Sequence, residues 1–89
     1  MNLDQLKDFK DRCLANHLLE PLWRELVEAA GTVTESSGAY QRGEVTTEQF
    51  ARLEANFFSK LKLLFEGSRQ ENVTPPPEFD AWDTILALA

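Results

Sequence analysis

The segment Val45-Thr46-Thr47-Glu48-Gln49-Phe50 carries the sharpest local instruction in the chain. Gln49 follows Thr46 by three residues. At that spacing the threonine hydroxyl accepts from the Gln49 backbone N–H while the Gln49 side chain reaches back to the Thr46 N–H. Val45 and Phe50 occupy the positions of a hydrophobic staple, so a helix is predicted to start at Thr47. Forward from that start, Phe50, Leu53, Phe57, Leu61 and Leu64 recur at spacings of three and four, one apolar stripe of an α-helix. Gly67 then offers a left-handed stop, which gives a helix over 47–66.

Backward from the same point, only Gly43, Glu44, Val45 and Thr46 separate this helix from another. Leu22, Leu26, Ala29, Ala30, Val33, Ser37 and Tyr40 share a face, and Pro21 suits a first helical position because its missing N–H would be unpaired there anyway. The periodicity predicts a helix over 21–42 with Gly43 as its left-handed cap. Gly, Thr and Ser weaken the stretch from Gly31 to Gly38, and the alternative is a helix that ends at Ala30. Two helices joined by so short a link pack as an antiparallel hairpin.

Leu3, Leu6, Phe9, Cys13 and Leu14 mark an earlier amphipathic helix over 3–17, with Asn2 as cap and Asp4 near the positive end of its dipole. Pro21 crowds the carbonyl of His17, so the chain must break between His17 and Glu20. Beyond Gly67 a polar stretch leads to Pro75-Pro76-Pro77, a stiff spacer. Phe79, Trp82, Ile85, Leu86 and Ala89 then have helical spacing, which predicts a short fourth helix over 77–88 that folds back on the body or docks on a partner. The expected architecture is an all-α, small helical bundle on a central antiparallel hairpin, with three main helices. Its organisation is a helical domain over 1–67, a Pro-rich spacer over 68–77 and a short amphipathic C-terminal helix over 78–89.

Composition narrows the function. The 89 residues include 15 acidic and 9 basic side chains, a net charge of −6, and 43% hydrophobic residues: enough for one packed domain and too few for two. A lone Cys13 excludes an intramolecular disulfide, and the first twenty residues are too interrupted by charge for a secretory signal. The longest apolar run, 85–89, falls far short of the ~20 residues that span a bilayer. A cytoplasmic protein is expected, with no membrane partner. Nucleic-acid binding begins with a basic footprint, whereas this field is acidic, so no nucleic acid is expected either.

No catalytic constellation emerges. Cys13 and His17 stand four apart, yet a zinc site wants about four ligands and no second Cys or His exists. A Cys-His nucleophile pair needs an orienting group and an oxyanion site from other elements. Asp4, Asp8 and Asp11 recur at helical spacing beside Lys7 and Arg12, the pattern of a solvated, ion-paired face. Asn72-Val73-Thr74 is an incidental glycosylation sequon, and the glycines at 31, 38, 43 and 67 match no phosphate-binding loop. The chain is read as a non-enzyme without metal or cofactor.

The aromatic residues remain. Phe58 and Phe65 lie ~80° round from the Phe57–Leu61 seam and Leu63 nearly opposite it, so the third helix has two apolar surfaces to cover. Trp23, Phe58, Leu63, Phe65, Phe79 and Trp82 are the candidate contact residues, with Glu25, Glu28, Glu44 and Glu48 as the acidic surround. A homodimer is the simplest cover for such a patch. A small acidic helical chain resembles, in class and not by motif, immunity proteins, antitoxins, phage-encoded inhibitors and enzyme-accessory subunits. The expected function is a protein-binding module that inhibits, neutralises or regulates a partner, possibly a basic one. The alternative is an accessory or structural subunit docking through its C-terminal helix.

Overall fold

The computed structural model describes residues 3–75 and Ile85. The described residues form three helices and no strand: α1 over Leu3–Leu14, α2 over Glu20–Gln41 and α3 over Thr47–Gln70. Asn2 and the expected fourth helix over 77–88 lie outside the described residues, apart from Ile85, which is helical and buried.

The first helix is shorter than the expected 3–17. It ends at Leu14 because Asn16 competes for the backbone: its side-chain oxygen accepts from the N–H groups of Leu18 (2.9 Å) and Leu19 (3.2 Å). Such asparagine bonds favour a turn over a continuing helix. The turn delivers Pro21 to the opening of α2, and the amide nitrogen of Asn16 reaches Glu71 Oε1 at 3.0 Å, tying the α1–α2 turn to the end of α3.

The second helix runs unbroken through the weak stretch at Gly31–Gly38, so the alternative end at Ala30 does not occur. Thr32 settles its hydroxyl on the Glu28 carbonyl at 3.1 Å. The helix closes at Gly43, whose φ of +77° lets Gly43 N–H bond Tyr40 O and Glu44 N–H bond Ala39 O. These two bonds form a Schellman cap. The capping box at Thr46 is present in both directions, at 3.1 Å and 3.0 Å. Phe50 stacks on Tyr40, with centroids 5.2 Å apart, and the Tyr40 hydroxyl lies 3.0 Å from Thr47 Oγ1.

Gly67 does not end the third helix. A Cβ there would stand 3.1 Å from Leu22 Cδ1 and 3.3 Å from Leu19 Cδ2, so the glycine lets α3 approach the start of α2 closely. The helix continues to Gln70 and ends when Asn72 takes a φ of +59°, with Asn72 N–H bonding Arg69 O and Val73 N–H bonding Ser68 O. Asparagine tolerates that left-handed position better than most residues. Residues 68–70 of the expected spacer are therefore helical, and Val73 packs against the core.

Packing between α2 and α3 dominates the fold. Leu19 and Leu22 meet Gly67, Glu25 meets Lys60, and Tyr40 meets Phe50, so opposite ends of the two helices lie together. Leu6, Phe9 and Cys13 of α1 join Trp23, Leu26, Ala30, Val33, Phe57, Leu61, Leu64 and Ile85 in one buried cluster. Phe9 is central to it, edge-on to Trp23 at 6.4 Å and to Phe65 at 6.0 Å.

Candidate functional site

The residues singled out from the sequence fall into distinct environments. Trp23 is 2% exposed, its ring enclosed between α1 and α2, and Phe65 is half-buried against Phe9. Phe58 and Leu63 are 41% and 48% exposed. Phe79 and Trp82 lie outside the described residues. The structure thus parts the six: two contribute to the core and two stand at the surface on different sides of α3. The surface signal for Phe58 was its angular offset from the seam. Leu18, 55% exposed in the α1–α2 turn, had no such signal and was missed.

The four carboxylates divide in the same way. Glu44 and Glu48 flank the α2–α3 link, and each has a nearby arginine: Glu44 with Arg42 at 3.1 Å, Glu48 with Arg52 at 2.7 Å. Both pairs are open to solvent and locally neutral, so each contributes little to stability or to a directed field. Glu25 and Glu28 are one turn apart on α2, and together with Ala29, Thr32, Asn56 and Lys60 they line a polar cleft of about 210 Å³ between α2 and α3. The cation of this cleft, Lys60, holds Glu25 at 3.7 Å, a loose approach for a charge-assisted bond. Thr32, Asn56 and Lys60 were not anticipated. Asn56 and Lys60 stand four apart beside the α3 seam, which is the spacing that places both against α2.

A second cleft of about 420 Å³ lies between α1 and α2, with Leu14, Trp23 and Val27 at its base and Lys10, Arg24 and Glu28 around it. Arg24 is drawn aside by Glu20 at 3.2 Å.

The Cys13–His17 pair is dispersed by the early end of α1. Cys13 is fully buried, and desolvation pushes its thiol up to about 11, so it stays protonated and unreactive at neutral pH. His17 is exposed in the turn. Among the described residues no three His, Cys, Asp or Glu side chains gather where they could hold a metal ion, and no helix is long and apolar enough to cross a membrane. Asn72 of the sequon serves as the left-handed residue that ends α3. No protein-family model, curated protein or solved structure matches the chain.

Proposed function

We propose that the chain is a small acidic protein-binding module that inhibits, neutralises or regulates a partner presenting a basic surface, as immunity proteins, antitoxins and inhibitors do. The observation that carries this reading is the α2–α3 cleft. Two carboxylates one turn apart, a hydroxyl and a side-chain amide surround a space sized for a lysine or arginine side chain, and one cation offsets them. A guanidinium offers five donors in a planar fork and suits such a set of acceptors. Charge outside the cleft would speed encounter. The body between Asp4 and Glu71 has twelve carboxylates and nine cations, a balance of −3, and Glu78, Asp80 and Asp83 contribute the other −3. Self-association through α3 belongs to the same reading as a separate contact. The alternative, an accessory subunit docking through Glu78–Ala89, would draw on a segment whose Ile85 is buried with the chain's own core.

The test uses the native host's lysate passed over immobilised wild-type chain, over Glu25→Gln/Glu28→Gln, and over a chain ending at Asn72. The reading expects a protein retained by the wild type, released by moderate salt and lost from the double variant. Equal, salt-insensitive retention by the double variant would discard it, and loss on a truncated chain that keeps its helical circular dichroism would then favour the subunit reading.

A further inference from the structure

The outward strip of α3 has an internal symmetry. Ala51, Ala55 and Phe58 follow at spacings of four and three and are all exposed, forming an apolar strip with Phe58 as its one large side chain. Glu54 and Lys62 are placed symmetrically about that residue, whereas Arg52 before it and Glu66 after it run the other way. Glu54 stands four positions before Phe58 and Lys62 four after, Ala51 seven before and the half-buried Phe65 seven after, while Glu48 and Arg69 sit near the two ends. Neither Glu54, Lys62 nor Arg69 forms an ion pair with a described residue.

From this arrangement we infer that α3 is the self-association surface, and that two copies meet antiparallel across a two-fold axis at Phe58. A two-fold contact brings residue i opposite j and j opposite i. With Phe58 facing its own copy, Glu54 of each chain faces Lys62 of the other, and the small Ala51 lies opposite the half-buried Phe65. A parallel pairing would set Glu54 against Glu54 and Lys62 against Lys62, which like charge disfavours. Two phenyl rings at the axis provide the buried apolar contact. The ion pairs, being at the rim, set register more than affinity. This contact lies on a different strip of α3 from Asn56 and Lys60 and does not depend on the acidic cleft being a partner site.

Sedimentation velocity on the full chain over a wide concentration range tests the geometry. The wild type is expected to dimerise reversibly, and Phe58→Ser to weaken association by roughly 30-fold or more, as loss of a central aromatic contact does. Glu54→Lys and Lys62→Glu each replace two attractions by two repulsions and should weaken it roughly tenfold. An equimolar mixture of those two variants restores both attractions and should form the heterodimer at wild-type strength. Helical circular dichroism checks that each variant remains folded. A wild type that stays monomeric throughout, a dimer indifferent to Phe58→Ser, or a mixture no tighter than its separate components would overturn the proposal.

Discussion

The two ends of the α2–α3 pair are built differently. At the end where α2 begins and α3 finishes, α1 lies across both helices. Phe9 fits between Trp23 and Phe65, Gly67 admits Leu19 and Leu22, and the Asn16–Glu71 bond fastens the turn to the α3 terminus. At the other end α2 continues with Ser36, Ser37 and Gly38, and the contacts include the stack of the exposed Tyr40 on the half-buried Phe50 and a polar cap at Thr46. The twelve residues of α1 make a helix about 18 Å long, against about 33 Å and 36 Å for α2 and α3. Among the described residues the core thus belongs mainly to one end, while at the linked end capping and the Tyr40–Phe50 stack join the half-buried Phe50 and Leu53 at the edge of the core.

Substitutions in the buried core, which is richest toward the covered end, should therefore have the largest effects. Phe57→Asp strands a charge at a fully buried position and is expected to unfold the chain outright, read as loss of helical circular dichroism. Phe9→Ala removes the ring shared by all three helices and should cost about 3–5 kcal/mol in urea unfolding. Phe50→Ala, half-buried at the linked end, should cost about 1–2 kcal/mol. Equal losses at Phe9 and Phe50 would mean that the two ends are packed alike.

The Cys13 thiol reports on the covered end through pH. Its folded value lies near 11 against an ordinary 9.0, because burial disfavours the thiolate. The folded chain therefore holds the proton more tightly than the unfolded one. The corresponding stability is complete below pH 9 and is lost as pH rises toward 11, on the order of 2 kcal/mol. Cys13→Ala should flatten that alkaline decline in urea midpoints. An unchanged slope in the variant would mean that the thiol opens to water without unfolding.

Gly67 and the end of α3 show where sequence reading reaches its limit. The capping box, Gly43 and the apolar stripes were legible because each is a local rule acting within about four residues. Gly67 satisfied the same local rule for a helix stop, yet its role depends on Leu19 and Leu22, more than forty residues away in the chain. Trp23 and Phe58 were likewise equivalent as surplus aromatics. Only the path of α1 decides that Trp23 is enclosed while Phe58 stays open. The acidic cleft was half legible: Glu25 and Glu28 are one turn apart on one helix, but Asn56 and Lys60 come from the other. A direct check is Gly67→Ala. Its methyl group would enter at 3.1 Å from Leu22, and crowding should outweigh the gain in helix propensity for a net loss of about 1–2 kcal/mol.

The smallest expected effect comes from the same substitution at Gly31, midway along α2. No heavy atom lies within 4 Å of a Cβ built there, and its backbone is helical with no positive φ. Alanine at that position therefore meets no steric opposition, and it narrows the unfolded chain's freedom while raising helix propensity. Gly31→Ala should stabilise by about 0.5–1 kcal/mol, visible as a higher urea midpoint with an unchanged slope. Because the gain arises within α2, slower amide exchange should extend from Gly31 toward Tyr40 and leave α1 unaffected. A destabilised Gly31→Ala chain would show that something packs over this face of α2 in solution.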